Sequence, residues 1–219
     1  MTDDPFLTPY KAVGGSRLLL SEILREGASR GLIPGRTKLA REWYRKSAQR
    51  ILAVDDREFM LNDMARYKAT IYPGRLYMFY YDPKGKQKLP YYDRFPIIFP
   101  IEPYRNGQFL GINLHYLPPV LRAKLMDALY VTLNNTNFDE TTRLKISYGL
   151  LKTVSRLREF KPCVKLYLAS HVRSRFVNIA ASEWDIALFL PTERFEKASP
   201  SKVWNDSRNI INGTKIRKK

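Results

Sequence analysis

The sequence predicts an α+β protein in which a small, partly open antiparallel β-barrel of the SH3-like kind is preceded by a helical extension and followed by basic helices. Three observations carry this expectation. The hydrophobic period changes from helical to alternating near Ile71. The stretch to Leu117 is rich in aromatic and β-branched runs punctuated by Gly, Pro and Asn. Helical spacing then returns after Leu117-Pro118-Pro119. The expected divisions are 1–70 for an N-terminal arm and helical extension, 71–117 for the barrel, and 118–219 for a C-terminal helical region with a basic tail.

Each element has a local cause. From Arg17, the residues Leu18, Leu19, Ile23 and Leu24 recur near helical spacing, and the Gly31-Leu-Ile-Pro34-Gly35 cluster ends that helix. Thr37 is the expected N-cap of a second helix through Leu52. It places Ala40, Trp43, Ser47 and Ile51 on one face and Lys38, Arg41 and Arg45 in a basic stripe, which is ordinarily a solvated face. Asp55, with Glu58 three residues on, announces a third helix carrying Phe59, Met60, Met64 and Tyr67 on its apolar side. In the barrel, RLYMFYYD, RFPIIFPIE and FLGINLHYL read as strands. Pro83 to Lys88 form a turn-rich loop, and Arg105-Asn-Gly107 form a tight turn. Pro96, Pro100 and Pro103 donate nothing to a ladder, so their strand is expected at an edge or bent.

A helix is expected from the prolines to about Leu133, a second from about Thr142 to Leu157, and a third from Lys161-Pro162 to about Val172. RFVNI reads as a short strand. Ser182 and Ser201 are the expected caps of two short helices, and GTKIRKK is a basic tail.

Composition bounds the function. Lys and Arg total 38 against 21 acidic residues, a formal charge of +17, which favours polyanionic partners and nucleic acid first. Residues 141–219 hold 17 basic and 6 acidic side chains, so the excess is concentrated there. With one cysteine and two histidines, no disulfide, zinc or iron–sulfur centre is expected and no cofactor is called for. The apolar runs are too short to cross a bilayer and the N-terminus is acidic where a signal peptide would be basic, so export is not expected.

The leading candidate for DNA contact is the run Arg143, Lys145, Lys152, Arg156, Arg158, Lys161, Lys165, Arg173 and Arg175, opposed only by Glu159. Its cations on helix surfaces would neutralise phosphates, and the helix start near Pro162 would add backbone donors. Lys84, Lys86 and Lys88 in DPKGKQK form a second candidate, although lysines at hairpin tips commonly serve solubility. Tyr91, Tyr92 and Tyr104 are candidates for stacking on a duplex end, against the commoner fate of strand aromatics as core.

For catalysis, His115 shares a strand face with Asn113, and Asp82, Asp93 and Glu102 occupy the same region. None has the spacing of a nuclease, protease, hydrolase or Walker motif. Asp82 before Pro83 suits a turn, Glu102 an edge, and Cys163 the core. A nonenzymatic protein is therefore expected.

The residues PGRLYMFYYDPKGKQKLPYYDRFPIIFPIEPYRNGQFLGINLHYLPP and KPCVKLYLASHVRSRFVNIAASEWDIALFLPTERF resemble a family of structural proteins of T-even-like myoviruses, the DNA end protectors of the phage head. The resemblance covers about Pro73 to Phe195. It implies a virion protein, made in the host cytoplasm, that binds the end of packaged double-stranded DNA beside other phage structural proteins of the head vertex, neck or tail. Two rivals remain open: a neck, tail or baseplate connector that meets only protein neighbours, and a nuclease built on the barrel.

Overall fold

A computed structural model describes residues 19–49, 64–102, 105–189 and 193–213. Helices α1 (Leu19–Ser29) and α2 (Lys38–Gln49) come first, followed by strands β1 (Tyr67–Lys68), β2 (Leu76–Met78), β3 (Tyr92–Asp93), β4 (Ile97–Pro100) and β5 (Gln108–Asn113). Helices α3 (Pro119–Leu133) and α4 (Glu140–Val154) precede β6 (Val164–Leu168) and β7 (Phe176–Ile179). The last elements among the described residues are α5 (Trp184–Phe189), β8 (Phe195–Glu196) and α6 (Pro200–Asn212).

Six strands form one antiparallel sheet in the order β1-β7-β2-β4-β5-β6, and β3 pairs with β8 separately. The class is therefore α+β. The expected barrel is not closed, because among the described residues β1 and β6 remain the two edges of the sheet.

The sheet nevertheless curls. Strand alternation sends Leu76, Met78, Ile97 and Phe99 to one face, where they join Trp43, Leu129, Leu151, Trp184 and Val203 from the helices in the main core. Tyr77, Phe79 and Ile98 go to the other face, into a smaller aromatic core with Phe109 and Tyr167. Strands β7 and β5 lie three steps apart, about 14 Å in a flat sheet. Yet the rings of Phe176 and Phe109 meet with centroids 5.7 Å apart. Phe79 lies edge-on to both, and Tyr167 stacks on Phe109. The aromatic pile substitutes for barrel closure.

Several local expectations hold. Thr37 caps α2, its hydroxyl accepting from Ala40 N at 3.1 Å. The tight turn closes β5 on itself through paired Arg105 and Gln108 backbone bonds of 2.9 Å, with Asn106 and Gly107 at φ 50° and 73°. Both central residues are left-handed, the requirement of a type I′ turn and the reason Asn-Gly is there. The helix after Pro118 ends at Leu133, RFVNI contains β7, and Cys163 is buried.

Other expectations are corrected. The Lys161–Val172 segment is not a helix. A 3-10 turn over Arg158–Cys163 leads into β6, whose alternating VKLYL pairs along β5. Strand β4 is interior rather than at an edge. Its prolines are tolerated because Pro96 precedes the strand and Pro100 is its last residue, each accepting through its carbonyl. The α2 stripe is not simply solvated. Arg45 is buried and donates to Asp127 and Asp185, and Arg41 donates to Asp127. The last two helical segments are each capped two residues earlier than Ser182 and Ser201, at Ala180 and Ser199. The helix expected from Asp55 is outside the described residues through residue 63, with Met64 in a 3-10 turn and Tyr67 in β1. The arm to residue 18, Ile51, Leu52, Pro103, Tyr104 and residues 214–219 also lie outside them.

Candidate nucleic-acid interface

Helix α4 sorts its residues by face. Ser147, Leu151 and Val154 turn inward and are buried, and Tyr148 donates to the carbonyl of Ile101 at 3.2 Å, fixing the helix against the end of β4. On the opposite side Lys145, Gly149 and Lys152 recur at intervals of four and three residues, so they form one outward row, and Arg156 follows two residues past the end of the helix. The helical part of the row, from Lys145 to Lys152, extends over about 10 Å at 1.5 Å per residue. Arg158 and Lys161 follow in the 3-10 turn and are exposed. Lys145, Lys152, Arg156, Arg158 and Lys161 form no ion pair among the described residues. Lys152 stands 5.9 Å from the Tyr148 ring centre, and Arg158 lies against Gly213, where an added Cβ would come within 2.1 Å of its Nη2.

Four cations of the same run are placed differently. Arg143 donates to the carbonyl of Leu133 at 3.1 Å and so ties α4 to the end of α3. Lys165 is on strand β6, half-buried, with its Nζ 3.9 Å from the centre of the Tyr116 ring; burial pushes its ammonium pKa down. Arg173 reaches within 3.9 Å of Asp82. Arg175 is exposed just before β7.

The lysine loop is held in a defined shape. Lys197 Nζ donates to the carbonyls of Lys86, Gln87 and Leu89, and Lys86 pairs with Asp82 at 2.9 Å. Lys84 and Lys88 remain exposed. The loop separates two clefts. One, of about 510 Å³, carries Lys86, Arg94 and Arg173 against Asp82 and Glu196. The other, of about 340 Å³, is walled by Tyr81, Tyr91, Tyr92 and Tyr116 and carries Lys84 and Lys165. Tyr81 and Tyr92 belong to both. Tyr91 and Tyr92, weighed in the sequence as either stacking or core residues, are half-buried.

Of the acidic and histidine candidates only Asp93, Asn113 and His115 converge, and they do so inside the protein, whereas Asp82 pairs with Lys86 in the loop and Glu102 is exposed. Asn113 caps a 3-10 turn that contains His115, so the two do not share a strand face. Both meet Asp93, whose Oδ2 accepts from Asn113 Nδ2 at 2.9 Å and lies 2.8 Å from His115 Nδ1. The Phe95 amide donates to its other oxygen at 3.0 Å. Burial alone would raise the pKa of the Asp93 carboxyl; His115, Asn113 and the Phe95 amide outweigh it and hold the pKa down. The His115 side chain has 0% exposure. Arg122, which sequence reading passed over, braces this centre. Fully buried, it donates to the carbonyls of Leu117, Leu188 and His115 and pairs with Glu193 at 2.6 Å. Cys163 is inert at neutral pH, its thiol pushed up to about 12 by burial. Among the described residues no cluster has the makings of a metal site.

These features define a basic α+β protein whose acid–histidine pair is sealed in the core and whose uncompensated charge faces outward. The sequence profile of the phage T4 terminal DNA protecting protein family matches residues 57–207, and the chain belongs to that family. No curated protein and no solved structure matches it.

Proposed function

We propose that this protein is carried in the particle of a T-even-like phage and binds double-stranded DNA at the genome terminus without reading sequence, shielding the end. The observation that supports this best is the set Lys145, Lys152, Arg156 and Lys161: close along the chain, exposed, and free of carboxylate partners among the described residues. Cations so placed exchange counterions for phosphates, which gives affinity without base readout. Arg158 and Arg175, both exposed, and Lys84 and Lys88 in the loop would offer further contacts. The proposed role requires no catalysis, and a His115 without solvent exposure suits it better than a nuclease.

The test is a salt titration of binding to a duplex of arbitrary sequence. The slope of log affinity against log salt should flatten by about 0.9 for each phosphate contact removed. Lys152→Ala, Arg156→Ala and Lys161→Ala should each contribute, and their effects should be the same on unrelated sequences. A slope unchanged in the triple variant would remove this face from the interface.

A further inference from the structure

We propose that the tyrosine-walled cleft between the lysine loop and strand β6 receives the terminal nucleotide of a DNA end, with its base against Tyr91 and Tyr92 and its phosphate between Lys84 and Lys165. The assignment rests on the DNA-binding reading above and gives it a second, chemically distinct contact.

The cleft is suited to this by size, walls and charge. Its volume of about 340 Å³ falls within the ~300–1,000 Å³ range of small-ligand sites. Tyr81, Tyr116 and Tyr167 are nearly buried and fixed by packing, whereas Tyr91 and Tyr92 retain exposed surface at the wall. Every base has a π-face, so such a wall holds a terminal base without selecting its identity. Sequence-independent end binding needs that property.

Lys165 supplies the most specific observation. Its ammonium is half-buried against the face of Tyr116, and no hydrogen-bond acceptor or carboxylate engages it among the described residues. A buried cation without an acceptor is costly, and an anion entering the cleft relieves that cost. Lys84, at the lip, is also unpaired. The carboxylate of Asp93 lies at the cleft floor, but Asn113, His115 and the Phe95 amide already occupy it. The adjoining cleft differs in this respect, because Lys86, Arg94 and Arg173 each face Asp82 or Glu196. The cleft whose cations have no carboxylate partner is therefore the one with aromatic walls.

The full-length protein is titrated with deoxythymidine 5′-monophosphate, deoxythymidine and inorganic phosphate, followed by calorimetry or NMR. A linear duplex carrying 2-aminopurine either as its terminal base or at an interior position is titrated in parallel. The monophosphate should bind at least about tenfold more tightly than either fragment, as expected when stacking and a charged contact act together. Only the terminal 2-aminopurine should change its fluorescence. Lys165→Met and Lys84→Ala should each weaken monophosphate binding about tenfold or more; Lys84 is exposed, so its removal leaves the fold intact. Affinity for a closed circular duplex should be unchanged in Lys165→Met. Phosphate binding as tight as the monophosphate, or two variants that bind like wild type, would overturn the assignment. Circular and linear duplexes bound without a terminal signal would overturn it too, while the DNA-binding reading would survive. Monophosphate binding without duplex binding would support the cleft and sink that reading.

Discussion

Two residues separate fold from function most cleanly, Asp93 and Gly149. The Asp93 carboxyl pKa is held below the ordinary range, so its partners stabilise the fold at neutral pH, and that contribution is lost as pH falls through the lowered value. Asp93→Asn should therefore cost about 1–3 kcal/mol near pH 7 and a smaller amount in acid. Urea unfolding at the two pH values measures the difference; an equal cost at both would show that the charge is not what matters. Gly149 is the opposite case. It stands in the middle of the outward basic row, and a side chain there meets nothing within 4 Å. Gly149→Glu should raise thermal stability by up to about 1 kcal/mol, since glycine is a poor helix residue. The same substitution should weaken duplex binding about fivefold at low salt, because one charge near a phosphate is worth about 1 kcal/mol in water. Gly149→Lys should strengthen binding. If both variants bind like wild type, DNA does not touch this face.

At the scale of elements, what was legible in the sequence was local, and what was missed depended on distant neighbours. Thr37, the prolines before α3 and the Asn-Gly turn each announce themselves through backbone chemistry within a few residues, and all three stand where expected. Strand β6 was missed because Lys161-Pro162 imitates a helix start, while the alternation in VKLYL is only five residues long and gains its meaning from pairing with β5. The same displacement altered the candidate site. Lys165 moved from a supposed helix surface into a cleft, and Arg143 became a clamp on the end of α3. Cation types were readable from the sequence, but which cations are already satisfied was not. Arg122 illustrates the limit, because nothing in its sequence surroundings signals a guanidinium that joins the turn after β5 to α5 and to Glu193. Arg122→Met should destabilise by about 3–5 kcal/mol, since it strands Glu193 and three carbonyls. Denaturant melts would show this as a shifted midpoint. A cost under about 1 kcal/mol would mean that the neighbouring carbonyls find other donors.

For the whole molecule, the question is why a protein with so large a positive charge would favour an end over the far more abundant interior of a genome. Charge alone gives no preference, because phosphates are equivalent along a duplex and the proposed α4 contacts would bind any of them. A preference requires a contact that only an end offers, and a terminal base freed from its neighbour is such a feature, since removing it from the stack is cheapest there. The row on α4 and the aromatic cleft beside β6 would then divide the work: the first gives affinity, the second gives position. This division predicts different responses to salt and to DNA topology. Linear duplex should be bound more tightly than closed circular duplex of the same sequence, and the difference should persist as salt rises, because stacking is screened far less than phosphate contact. Added in small excess over ends, the protein should slow a double-strand exonuclease, even though most of the DNA remains uncovered. Lys165→Met should remove the linear preference and the protection while leaving general binding in place, whereas the α4 variants should weaken both substrates equally. Equal affinity for the two topologies at every salt concentration, with digestion unslowed, would leave a protein that coats DNA without recognising its end.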